Sequence, residues 1–201
     1  MRIIGITGPT GAGKSLLSEY LRQKGIPVID ADAVYHSLLI PPSPCLDALR
    51  GAFGDCVFSE NGELDRRALA DIVFHDEKKL ALLNRTVLGF VLDKVRESFG
   101  QYKKDGHAVA AVDAPTLIES GFSRECDTVV SVLCSPTARA ERIINRDGLS
   151  REAAEMRING QKKDSFYTEG SDIVIVNDGS REEFYVKCEA LVEALAKEEG
   201  G

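Results

Sequence analysis

The chain has 201 residues, 43% hydrophobic and 28% charged, as expected of one globular domain, with or without sizeable insertions, large enough for a real core. Its net charge of −7 argues against a dedicated nucleic-acid binder, while a local basic patch for an anionic substrate stays open. No apolar run approaches the roughly 18 residues of a membrane span. The amino terminus runs straight into a strand without a cleavage site, so no signal segment is expected.

The first element sets the theme. Met1–Thr7 (MRIIGIT) is β-branched and apolar, a buried strand, and Ser15–Lys24 puts Leu16, Leu17, Tyr20 and Leu21 on one helical face. Between them Gly8-Pro9-Thr10-Gly11-Ala12-Gly13-Lys14-Ser15 fits G-x-x-x-x-G-K-[ST] in the strand–loop–helix context that gives the pattern meaning. The glycines let successive N–H groups turn toward phosphate oxygens. The helix amino end adds positive potential, Lys14 can reach the β/γ-phosphates, and Ser15 can ligate magnesium. The motif predicts nucleotide triphosphate binding.

Further strands are predicted at Pro27–Ile29, Ala108–Val112, Thr128–Leu133 and Ile173–Val176, separated by helical patterns. This alternation predicts an α/β fold with a parallel five-stranded sheet covered on both faces. Two intervals are too long for simple crossovers. Residues 33–104 are mostly helical in pattern, with a break at Pro41-Pro42-Ser43-Pro44, and suit an acceptor-binding insertion. Residues 137–163 form a charged helical segment interrupted at Asp147-Gly148 and suit a lid. The expected nucleotide-binding core is therefore 1–32, 105–136 and 164–201, with the tail Lys197–Gly201 frayed.

Phosphoryl transfer needs a positioned acceptor, magnesium and cations around the transferred charge. Asp30 and Asp32 follow the second strand, where open α/β sheets bind ligands. One of them can accept a hydroxyl proton; by strand alternation they would point the same way, unless the strand has already ended. The alternative is that both cap a helix beginning near Ala33. Asp113 ends the third strand as a magnesium-linked carboxylate, or as a turn residue before Pro115. Glu119 faces an acceptor or is a solvated glutamate. Arg139, Arg142 and Arg146 share a helix face, with Arg151 and Arg157 after the break. They can stabilise transferring charge, or form a solvated face with pairs such as Asp147–Arg151. The five cysteines form no C-x-x-C pair and the three histidines show no ligand spacing, which favours free thiols in a reducing cytosol over a disulfide framework or zinc site.

Taken together these segments resemble the dephospho-coenzyme A kinase family over nearly the whole chain. They include Ile29-Asp30-Ala31-Asp32 with His36, Leu64-Asp65-Arg66, Asp113-Ala114-Pro115-Thr116-Leu117-Ile118-Glu119, Arg142…Arg146-Asp147-Gly148-Leu149-Ser150, Arg157…Gln161 and Asn177-Asp178-Gly179, of which Asp-Ala-Asp, Asp-x-Pro-x-x-x-Glu and Arg-Asp-Gly-Leu-Ser in this order are the specific ones. The resemblance implies a P-loop, nucleoside-monophosphate-kinase-like core and ATP-dependent phosphorylation of the ribose 3′-hydroxyl of dephospho-coenzyme A. It implies Asp32 as base, Lys14, Arg142 and Arg146 around the transferred group, and magnesium on Ser15 and Asp113. ATP would lie on residues Gly8 to Ser15 and Leu16, with Asn177 and Gly179 near adenine; the acceptor would meet Asp32, His36, Asp113, Pro115 and Glu119. The chain departs from the family pattern in carrying Leu88-Gly89 for a His-Pro pair, Arg139 for a lid glutamine, and Tyr167 where a basic residue is expected. Another small-molecule or nucleotide kinase, or a non-catalytic nucleotide-dependent regulator, are the alternatives. No Asn-Lys-x-Asp triplet and no Leu-Ser-Gly-Gly-Gln signature support a guanine-nucleotide switch or a transporter-type ATPase.

Overall fold

The computed structural model describes residues 1–197, so the tail from Glu198 on lies outside the described residues. Five strands form one parallel sheet: β1 (Arg2–Thr7), β2 (Val28–Asp30), β3 (Val109–Asp113), β4 (Thr128–Leu133) and β5 (Ile173–Val176). Their order is β2-β3-β1-β4-β5, which puts the first strand at the centre. Ile3 pairs with Ala110 on one side, and Ile4 with Thr128 on the other. A strand covered on both faces must be apolar at consecutive positions, and β4 is buried along its whole length.

The layers follow from this. Helix α1 (Lys14–Gln23) buries Leu17, Ser18, Tyr20 and Leu21. Helix α9 (Arg181–Lys197) buries Phe184, Cys188, Leu191 and Leu195, spaced by four, three and four residues, a helical stripe. Both stripes join Ile4, Ile6, Val130, Val132 and Ile175 in one core cluster. Alternate residues of the same strands, with Leu117 and Phe122, are buried outside that cluster.

Two compact units result. The first is Met1–Ile29 with the described residues from Tyr102 on, and the second is Asp30–Gln101. The second consists of α2 (Ala31–Leu38), α3 (Pro44–Phe53), α4 (Arg66–Val73) and most of α5 (Glu77–Lys104). Local caps start them. Asp30 Oδ1 accepts from Ala33 N, Ser43 Oγ from Cys45 N with Pro44 just inside, Asp65 from Arg67 N and Ala68 N, and Asp76 from Lys78 N and Lys79 N. Val57, Leu69 and Val73 form a small core with Phe53, Phe58 and Ile72.

The strand alternation expected for Asp30 and Asp32 does not hold. β2 ends at Asp30, which caps α2, and Asp32 lies in that helix's first turn. Helix begins at Ala31, two residues earlier than expected, because the Asp30 side chain satisfies an amide there. Both aspartates therefore belong with the helical unit. In the other long interval, α6 (Pro136–Asp147) ends on Gly148 and α7 (Arg151–Asn159) restarts on a Ser150 cap, followed by α8 (Asp164–Glu169). Among the described residues no helix is long and apolar enough to cross a membrane.

Candidate active site

The phosphate loop is shaped by what surrounds it. Gly8 has φ +135°, and a Cβ there would stand 2.2 Å from Val132 O; Gly13 has φ +105°, and a Cβ would stand 2.2 Å from Asn177 Nδ2. Each combines a backbone conformation that disfavours side chains with a space that admits none. No side chain caps α1, the arrangement a bound anion needs at a helix amino end. Lys14 Nζ folds over the loop and donates to Gly8 O at 2.8 Å and Pro9 O at 3.3 Å.

Loop carbonyls are held from behind by residues distant in sequence. Arg142 Nη1 donates to Gly11 O (3.3 Å) and Ala12 O (3.2 Å), and its Nη2 to Asn177 O (2.9 Å). The Asn177 side chain is buried and donates from Nδ2 to Ala12 O at 2.8 Å. Arg139 Nε donates to Thr10 O at 3.0 Å, and Gln161 Oε1 accepts from Thr10 N at 3.1 Å. Arg142 Nη1 also reaches Cys134 Sγ (3.2 Å). Burial, helped by a hydrogen bond to Asp178, pushes the Cys134 thiol up to about 11. Asp178 is held below the usual carboxylate range by the Ser135 N–H at 2.6 Å and then by that thiol.

The arginine stripe thus divides. Arg139 is 3% exposed, and burial draws its pKa below the ordinary guanidinium value. It is no part of a solvated face. Arg142 is half-buried beneath the loop. Arg146, a turn further on, is exposed and pairs with Asp147 at 2.7 and 3.0 Å. Asp147 also takes Arg157 at 2.5 Å, rather than the anticipated Arg151. Helical spacing fixes which residues share a face, and the loop packed along that face decides which of them are buried.

Ser18 Oγ donates to Asp113 Oδ2 at 2.7 Å. Ser18 follows Ser15 by three residues, so the Asp113 carboxylate meets the face of α1 that carries Ser15. A cleft of about 450 Å³ opens beside the loop, lined by Gly8, Pro115, Glu119, Gln161, Lys162 and Tyr167. Tyr167, the departure from the expected basic residue, is buried, and its hydroxyl pKa is raised by burial and then by Glu119. Gly179 sits where a Cβ would meet Glu183 Oε2 at 1.9 Å. Pro9 and Ala12 complete the loop, Ala12 wholly buried, and Leu16 packs on the core.

In the helical unit, Asp32 and His36 are exposed one turn apart on α2. His36 Nδ1 lies 3.4 Å from Arg66 Nη1, and its ring 5.3 Å from that of Tyr35. Arg66 and Gln161 carry no assigned role in the sequence reading, and Arg139 enters it as one of the arginines around the transferring charge. Each stands at a helix start, stripe or loop that looks ordinary alone, and its partner lies far along the chain.

The family model described as dephospho-CoA kinase matches residues 2–183. A protein named dephospho-CoA kinase from Symbiobacterium thermophilum is 38% identical over all of this chain and 84% of its own length. A crystal structure of a Thermus thermophilus protein superposes with a TM-score of 0.81 at 30% identity, covering 96% of this chain and 97% of that one. Dephospho-CoA kinase from Campylobacter jejuni superposes at 0.73 with 24% identity over 99% and 100% of the two chains, a likeness of fold. With a match that runs through both compact units, the chain belongs to the dephospho-CoA kinase family.

Proposed function

We propose that this chain transfers the γ-phosphoryl group of ATP to the ribose 3′-hydroxyl of dephospho-coenzyme A, giving coenzyme A and ADP in the last step of coenzyme A biosynthesis. The observation that carries the reading is the family match from the phosphate loop through the helical unit to the Asn177 segment. Residues Gly8 to Ser15 and Leu16 hold the ATP phosphates, and the Asn177–Gly179 loop borders the adenine side. Lys14 leaves the Gly8 and Pro9 carbonyls for the β- and γ-phosphate oxygens, where its charge is worth more.

Magnesium fits the oxygen donors here. The Ser15 hydroxyl and the Asp113 carboxylate are hard ligands, and the Ser18 contact sets that carboxylate beside α1. Among the described residues no three His, Cys, Asp or Glu side chains could hold a metal by themselves, so phosphate and water would supply the other ligands. When bound, magnesium offsets charge on the β- and γ-oxygens.

Asp32 accepts the proton of the 3′-hydroxyl as that oxygen attacks the γ-phosphorus and the β–γ bridging oxygen departs with ADP. Its exposure in the first turn of α2 supports a carboxylate open to a substrate. His36, Asp113, Pro115 and Glu119 contact the acceptor. Arg146 exchanges Asp147 for the transferring charge, while Arg142 acts through the loop. In our reading residues 33–104 bind the acceptor and 137–163 close over the nucleotide, with the root of α6 fixed by Arg139 and Arg142. The partner is a small molecule rather than nucleic acid or membrane, and five free thiols support the cytosol as compartment.

The test is a transfer assay with magnesium-ATP and dephospho-coenzyme A, product mass measured, and adenosine as competing acceptor. A gain of one phosphate on dephospho-coenzyme A is expected. Transfer to adenosine alone would favour another small-molecule kinase, and ATP binding without transfer a regulator.

A further inference from the structure

One residue of the phosphate loop has both backbone groups occupied by side chains. Thr10 N–H donates to Gln161 Oε1 at 3.1 Å, and Thr10 O accepts from Arg139 Nε at 3.0 Å. The ring closes through Arg139 Nη2, which donates to the same Gln161 oxygen at 2.5 Å. Arg139 and Gln161 come from opposite ends of the α6–α7 segment, and they meet only at this loop. We infer that Arg139 and Gln161 form a clamp on Thr10 that sets the loop's affinity for the ATP polyphosphate, as positioning residues that do not touch the reacting atoms.

Two physical effects carry the inference. A trans peptide holds its carbonyl and the following N–H antiparallel. With Thr10 O turned to Arg139, the Gly11 N–H is directed to the other side of the loop, where an anion is held. The fit is close: a Cβ on Gly11 would stand 3.0 Å from Arg139 O. The second effect is charge. The Arg139 side chain is 4% exposed, and the Asp164 carboxylate it faces stands 4.0 Å off and is itself 51% exposed. A buried cation whose counter-charge stands at the outer limit of ion-pair distance and is half in solvent leaves positive potential behind the loop. Gln161 suits this arrangement because an amide oxygen accepts both hydrogen bonds without cancelling the charge. A carboxylate there would make the same bonds and neutralise the guanidinium.

The clamp rests on the reading that the loop holds ATP phosphates, and it is tested by binding alone. Gln161→Glu keeps both accepted hydrogen bonds, so a purely structural role predicts an unchanged or higher melting temperature and unchanged ATP affinity. The clamp predicts that the Kd for ATP, by calorimetry, rises about tenfold in Gln161→Glu and in Arg139→Met. The KM for ATP rises with it, more than kcat falls, because the loop grips ground state and transition state alike. Arg139→Lys keeps the charge but loses the planar fork that reaches Thr10 O from Nε and Gln161 from Nη2, and should fall between. ATP affinity within twofold of wild type in folded Gln161→Glu and Arg139→Met would overturn the clamp. So would a lower melting temperature with unchanged affinity. Absence of transfer to dephospho-coenzyme A by the wild type would overturn the proposed reaction and leave the ATP Kd to judge the clamp.

Discussion

The phosphate loop and the start of α2 are built by opposite means. Loop geometry depends on groups 129 to 165 residues away in sequence, among them Arg139, Arg142, Gln161 and Asn177. The start of α2 depends on Asp30 holding an amide three residues on, and its chemically useful side chains, Asp32 and His36, are exposed. A loop made of long-range contacts is rigid, and alterations there disturb binding and folding together. A locally capped turn presenting a carboxylate can lose that carboxylate at little structural cost. In the proposed reaction the contrast divides the labour: affinity for ATP in the loop, acceptor activation on α2.

The largest effect that sharpens this contrast is expected from Lys14→Ala. Removing the cation proposed to serve the β- and γ-phosphates should lower kcat/KM about 1,000-fold, with a lower melting temperature as the Gly8 and Pro9 carbonyls lose their donor. A tenfold loss or less would place the transfer charge elsewhere. Alanine at glycine then separates the loop from the helical unit by sign. Gly13→Ala forces a Cβ toward Asn177 at φ +105° and should cost about 1–3 kcal/mol of stability. Gly89→Ala, in α5 with nothing within 4 Å of the added Cβ, should add about 0.5–1 kcal/mol. Chemical denaturation of both variants checks this, and equal signs would break the comparison.

The strands, the loop and the helical character of the two long intervals were legible in sequence because each has a local signature: β-branched runs, glycine spacing, helical periodicity. The division of the arginine stripe was not. Arg139, Arg142 and Arg146 repeat at helical spacing, yet one is buried, one half-buried and one paired on the surface. Nothing local to α6 records that the loop packs on its first two turns. Gln161 was legible as part of a motif, but its partner Thr10 lies 151 residues earlier. Ser18, which no local pattern of α1 singles out, is buried with its hydroxyl donating to Asp113, 95 residues on. Asp30 and Asp32 looked equivalent until the Ala33 contact made one a cap.

The smallest effect concerns acid. The folded pKa of Asp178 is depressed, so its contribution is full above the ordinary aspartate value of about 4 and is lost as pH falls through the folded value. Asp178→Asn should therefore lose stability at neutral pH and show a shallower acid limb. Melting temperatures between about pH 3 and 7 follow it; parallel curves for the two proteins would remove Asp178 from the acid response.

The division of labour is tested most directly by Asp32→Asn, with ATP Kd and transfer to dephospho-coenzyme A measured on the same preparation. The account predicts a Kd for ATP within twofold of wild type and kcat lower by about 100-fold or more. Turnover at the wild-type rate, or loss of ATP binding in step with turnover, would contradict it.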